Sequence, residues 1–156
     1  MANRVKKLVR RLTVLNMKTA AAESCTAGLA ADLLARIPGA SKVLWGSFVC
    51  YTPEAKIRML GVGEDTLKRY GAVSRETACE MAKGALEKSG ADFAFSITGV
   101  AGPGMDGSIP AGTVWISAAH KGDDVNAKLF KFRGSRNTVR RRAAKKAIDE
   151  LLNILP

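Results

Sequence analysis

The residues able to do chemistry gather in three short stretches: Glu23-Ser24-Cys25-Thr26-Ala27-Gly28, Tyr51 to Lys56, and Thr98 to Gly104. Ser24 follows a short run of small residues and precedes a helical repeat. There the backbone N–H groups of Thr26, Ala27 and Gly28 would point near its hydroxyl, an arrangement that stabilises an oxyanion or binds an anion. The same position also suits a serine that only caps a helix. Histidine is the usual activator of a nucleophilic serine, yet the single histidine, His120, falls at a strand end. A catalytic Ser24 therefore needs a lysine or a tyrosine. Tyr51 and Lys56 bracket a strand-to-helix turn, so both can project from one end of a sheet. A lysine buried beside polar groups can lose its proton near neutral pH and act as a base. A solvated Lys56 with a half-buried Tyr51 is the alternative. The Gly99–Gly104 loop permits close approach of backbone to a ligand, but it has neither the Walker nor the dinucleotide glycine pattern. Thr98 at its start can donate a hydroxyl to a substrate, or can hold a turn.

Positioning these groups requires a scaffold, and the apolar spacing supplies one. Val5, Leu8, Val9, Leu12 and Leu15 predict a helix over 3–16, and Thr19–Ala22 a buried strand. Leu29, Leu33, Leu34 and Ile37 predict a helix stopped by Pro38-Gly39. Val43–Tyr51 reads as a strand with Gly46-Ser47 as its soft point. Pro53 opens a helix that Gly61 ends, and Glu64–Arg69 forms a second short one. Ser74 caps a helix with Ala78, Met81, Ala82, Ala85 and Leu86 on its inner face. Asp92–Ile97 is a strand, Gly112–Ala119 pairs with 125–133 as a hairpin, and Val139, Ala143, Ala147, Ile148, Leu151 and Leu152 mark a final helix. This order describes one α/β domain over residues 1–156, with a central sheet covered by helices. Ligands in such folds gather at strand ends, which directs attention to the loops 23–28 and 98–112.

Composition narrows the classes further. The 156 residues include 25 Lys+Arg against 14 Asp+Glu, a formal charge of +11, which invites a nucleic-acid or anion reading. The surplus sits at the ends. Segments 1–18 and 128–146 hold 15 of the basic residues and no acid, leaving a middle that is slightly acidic. Those ends offer only Phe130 and Phe132 for base stacking and contain no nucleic-acid motif, so a polyanion partner is the secondary reading. Cys25, Cys50 and Cys79 are widely spaced, odd in number and without metal-type spacing, which fits a reducing cytoplasm. The basic start has no apolar run of membrane or signal length.

Taken together, Ala22-Glu23-Ser24-Cys25-Thr26-Ala27-Gly28, Gly46 to Tyr51 with Glu54-Ala55-Lys56, Gly71-Ala72-Val73-Ser74, Thr98-Gly99-Val100-Ala101-Gly102-Pro103-Gly104 and Gly112-Thr113-Val114 resemble the C-terminal domain of the competence/damage-inducible protein CinA. That domain also occurs as stand-alone nicotinamide-nucleotide amidases. The blocks stand in family order and continue weakly into Phe132-Arg133-Gly134 and the Arg136 to Arg140 spacing. The resemblance implies a three-layer α/β/α sandwich, a homo-oligomer, and hydrolysis of nicotinamide mononucleotide to nicotinate mononucleotide and ammonia. No metal or organic cofactor is implied. It places the catalytic serine, tyrosine and lysine at Ser24, Tyr51 and Lys56 and a substrate-contacting threonine at Thr98. Together with the Thr26, Ala27 and Gly28 amides, the loop glycines Gly99 and Gly102 and a phosphate contact from Arg136 or Arg140, these form the expected substrate site. Three residues depart from the family pattern: Ala27 and Ser47 stand where glycine is usual, and Pro53 where asparagine is usual. All three are expected to alter the pocket.

Overall fold

The computed structural model describes residues 2–156. Its elements are α1 (Ala2–Leu15), β1 (Thr19–Glu23), α2 (Leu29–Ala35), β2 (Leu44–Val49), α3 (Pro53–Leu60), α4 (Glu64–Tyr70), α5 (Arg75–Ser89), β3 (Phe93–Gly99), β4 (Thr113–His120), β5 (Ala127–Lys131) and α6 (Arg136–Ile154). The five strands form one sheet in the order β2-β1-β3-β4-β5. The pairs β2-β1 and β1-β3 are parallel, while β3-β4 and β4-β5 are antiparallel. The chain is thus an α/β fold with a mixed central sheet.

Side-chain alternation along the strands assigns the two helical layers. On β3, Phe93, Phe95 and Ile97 enter a core shared with Val5, Leu8 and Leu12 of α1, Ala30 and Leu34 of α2, and Val139, Ala143, Ile148 and Leu151 of α6. The opposite face is built from small residues. Ala20 and Ala22 of β1 and Ala94 of β3 meet Met81, Ala82 and Ala85 of α5. Small side chains on both partners let α5 approach the sheet closely, and Ser96 Oγ donates to the Ala78 carbonyl at 2.6 Å. Gly84 belongs to the same close packing, because a Cβ there would lie 2.0 Å from the Leu60 carbonyl oxygen on α3.

Two boundaries differ from the expected ones in ways that matter for the site. Helix α2 begins at Leu29, so the turn 25–28 separates Ser24 from the helix. Strand β2 ends at Val49, which frees Cys50 and Tyr51 to carry main-chain carbonyls into the β2-α3 connection. The parallel register sets Glu23 beside Val49 and Ile97, so β1, β2 and β3 all end on one side of the sheet. That shared edge holds the candidate site.

The basic ends are partly spent inside the fold. Lys128 and Lys146 both bind the buried carboxylate of Glu150, at 2.7 and 2.8 Å. Phe130 packs at the edge of the core, stacks on Phe132 and lies beneath the Lys146 ammonium. The two aromatics of that segment are therefore engaged within the fold. Among the described residues, no helix is long and apolar enough to cross a membrane.

Candidate active site

Ser24 extends the parallel ladder by one residue, its amide donating to the Ile97 carbonyl at 3.0 Å. Lys56 comes from the first turns of α3. Thr52 caps that helix by accepting from the Ala55 amide at 3.1 Å, and Pro53 fills its first turn, where a missing N–H costs nothing. The Lys56 side chain then runs inward and is only 1% exposed. Its Nζ donates to Ser24 Oγ at 2.8 Å, to the Cys50 carbonyl at 3.1 Å and to the Tyr51 carbonyl at 3.4 Å. Three acceptors for three ammonium protons make a satisfied site for the charged form. Burial nonetheless lowers the Lys56 pKa from its ordinary value. Thiolates at Cys50 and Cys25 would oppose this shift, but burial raises both thiols to about 11, so they stay neutral at pH 7. The solvated alternative for Lys56 is thereby excluded.

The turn after Ser24 is organised by the residue before it, to which neither spacing nor the family resemblance assigns a role. Glu23 is fully buried, and its carboxylate accepts from the amides of Gly28, Ala30 and Ala31 at 3.0–3.1 Å and from Ser47 Oγ at 3.1 Å. It occupies the positive end of α2. The expected oxyanion donors change accordingly. Gly28 N–H is taken by Glu23, and Ala27 N–H donates to the Ser24 carbonyl at 3.0 Å. Among the described residues, the Cys25 and Thr26 amides have no hydrogen-bond acceptor. Thr26 Oγ1 is buried without a partner as well. An acid just upstream of a helix start was the available clue to Glu23.

Two of the departures from the family pattern lie outside the cavity lining, Ala27 in this turn and Ser47 on β2 beside Glu23. Ser47 spends its hydroxyl on Glu23. Ala27 adopts φ +50°, a left-handed conformation that favours glycine. Relief of about 1–2 kcal/mol of strain outweighs the extra unfolded-chain entropy of roughly 0.4–1 kcal/mol, so Ala27→Gly is expected to stabilise the fold modestly. Urea unfolding should show a higher midpoint at unchanged slope.

A cavity of about 310 Å³ opens over Ser24 and Lys56, walled by Thr98 to Pro103, with Tyr51, Pro53, Asp106 and Arg136 also lining it. Thr98 Oγ1 is buried beside it and donates to the Ala72 carbonyl at 2.7 Å. Gly99 is required by packing on β4, since a Cβ there would lie 2.6 Å from the Thr113 carbonyl oxygen. Gly102 has φ +94° and offers its carbonyl to Arg136. Tyr51 is half exposed, and its phenol oxygen accepts from Arg136 at 2.8 Å. Its backbone carbonyl, not its hydroxyl, is what faces Ser24 and Lys56. Arg140 donates to the Cys25 and Thr26 carbonyls, both at 3.0 Å, and holds the turn after Ser24 from α6. Thr26, Ala27, Gly28 and Arg140 all lie outside the cavity lining, whereas Arg136 is within it. His120 belongs to a separate cleft of about 510 Å³ at the opposite end of the sheet, paired in register with Phe93.

A serine hydroxyl hydrogen-bonded to a buried amine thus sits at the ends of the parallel strands. The model of the CinA C-terminal domain matches residues 2–155. The chain belongs to the CinA C-terminal domain family. A CinA-like protein of Akkermansia muciniphila is 42% identical over 149 residues, covering 95% of this chain and 36% of the relative. Another CinA-like protein, of Thermotoga neapolitana, is 41% identical over 150 residues, covering 95% and 36%. The chain spans about a third of the length of the curated relatives it matches. Among solved structures, the competence/damage inducible protein CihA from Agrobacterium tumefaciens is 40% identical with a TM-score of 0.89, covering 96% of each chain. A CinA superfamily protein from Escherichia coli is 38% identical with a TM-score of 0.93, covering 98% of this chain and 89% of that one. The CinA fold is therefore shared over essentially the whole described chain.

Proposed function

We propose that this CinA-family chain is a serine amidase that hydrolyses the carboxamide of nicotinamide mononucleotide, giving nicotinate mononucleotide and ammonia. The observation that carries the reading is the 2.8 Å hydrogen bond between Lys56 Nζ and Ser24 Oγ, with the amine buried and its pKa depressed. In the neutral form, Lys56 turns its lone pair to the Ser24 O–H and keeps two N–H donors for the Cys50 and Tyr51 carbonyls. It removes the hydroxyl proton as Ser24 Oγ attacks the carboxamide carbon. The amide of Cys25, which lines the cavity and has no acceptor of its own, stabilises the developing oxyanion. Collapse breaks the C–N bond, and Lys56 returns the proton to the departing ammonia. A water then attacks the acyl-enzyme, again losing its proton to Lys56, and Ser24 is regenerated on release of the acid.

Arg136, a guanidinium in the cavity lining, meets the substrate phosphate, while Arg140 acts from behind the turn. The cavity volume lies in the range of small-molecule sites. The test is ammonia release from pyridine carboxamides with and without ribose phosphate. Strong preference for the phosphorylated nucleotide supports the assignment, and equal turnover of free nicotinamide overturns it.

A further inference from the structure

The cavity over Ser24 carries a carboxylate that the chemistry above does not use. Asp106 lines it and is exposed to solvent. The backbone of that residue is fixed: its amide donates to the Ile109 carbonyl at 3.0 Å, and the Ile109 amide returns a bond to the Asp106 carbonyl at 2.9 Å. Asp106, Gly107, Ser108 and Ile109 thus form a tight turn pinned by its own main chain. The side chain is left over. Among the described residues it takes part in no hydrogen bond or ion pair.

The surrounding charges give that free carboxylate a meaning. Among the lining residues Asp106 is the sole acid; the other carboxylate nearby, Glu23, is buried, saturated by donors and outside the lining. Arg136 is the lining guanidinium, held in place by the Gly102 carbonyl and the Tyr51 phenol. A pocket for an anion alone is weakened by a carboxylate within it, because like charges repel in a partly enclosed site. A ligand bearing both signs matches it. Nicotinamide mononucleotide is such a ligand, with a quaternary pyridinium nitrogen at one end and a phosphate at the other.

Resting on the amidase reading, we propose that Asp106 is a specificity-determining residue that selects the positively charged pyridinium ring over its neutral dihydropyridine form, while Arg136 engages the phosphate. The two ring forms differ by one hydride and one charge and share the carboxamide, the sugar and the phosphate. Asp106 stabilises only the charged one by attraction. The contact is solvent-exposed, which sets a preference of about fivefold.

The experiment is calorimetric binding of nicotinamide mononucleotide and of its reduced dihydropyridine form to Ser24→Ala protein, with and without Asp106→Asn. Turnover is absent, so only affinity is read. The expected result is tighter binding of the oxidised form, a preference that Asp106→Asn lowers below about twofold by weakening that form and leaving the reduced one unchanged. A preference that survives Asp106→Asn overturns the inference and leaves the amidase reading standing. Equal weakening of both forms also overturns it, because Asp106 then reads a shared part such as the ribose hydroxyls. If neither form binds Ser24→Ala protein, the substrate reading fails and the inference fails with it.

Discussion

Lys56→Met is expected to lower kcat for ammonia release by about three orders of magnitude or more. Ser24→Ala should do the same, and the double variant should be no slower than either single one, because residues that act as a unit lose their contribution together. Lys56→Arg should not rescue, since guanidinium does not give up its proton in the working pH range. The pH profile gives the prediction its direction. Burial lowers the Lys56 pKa, and the neutral amine is the working base. Activity should therefore fall as pH drops through a pKa below 10.5, and the residual activity of Lys56→Met should lack that limb. Stability carries the same signature. Between the depressed folded pKa and 10.5 the unfolded chain binds more protons at this lysine, so wild-type stability gains a rising contribution with pH across that window. Lys56→Met should remove that contribution. A Lys56→Met protein that folds and turns over at the wild-type rate would refute the dyad.

Where local chemistry decides structure, the sequence was readable in detail. Pro53 announces the start of α3, Ser74 the start of α5, and the spacing of Val5, Leu8, Val9 and Leu12 the inner face of α1; each appears where its own backbone and side-chain preferences put it. The Ser24 and Lys56 pairing was accessible for a related reason, since two strand ends and one helix start sufficed to bring them together. What stayed hidden depends on contacts distant in sequence. The sequence leaves the phosphate contact open between Arg136 and Arg140; α6 sets Arg136 in the cavity lining and delivers Arg140 onto carbonyls more than a hundred residues away. The resemblance expects a catalytic tyrosine at Tyr51, but β2 ends early enough that its carbonyl takes the inner position and its phenol is left to Arg136. Ala27 and Ser47 are expected at the pocket, whereas the former absorbs a left-handed turn and the latter supports Glu23. The +11 charge likewise resolves into particular contacts: Arg136 and Arg140 serve the site, and Lys128 and Lys146 serve Glu150.

Glu23→Ala is expected to be the most destabilising single change at this end of the sheet. Its carboxylate, itself fully buried, satisfies three amides at the start of α2 and the Ser47 hydroxyl. Removing it leaves those donors unpaired and uncovers the positive end of the helix, which together cost about 3–5 kcal/mol. Glu23→Gln should recover part of this, because its amide oxygen still accepts while its NH2 group meets donors head-on. Ser47→Ala removes one of the four contacts and leaves the three amides paired, so about 1 kcal/mol is expected. Chemical denaturation of the three variants should rank them in that order. Catalysis should follow a different rule. Because the same carboxylate takes the Gly28 amide, it fixes the turn that presents Cys25, and folded Glu23→Gln should lose kcat more than it raises KM. A Glu23→Gln enzyme with wild-type kcat and only lowered stability would confine Glu23 to holding the fold.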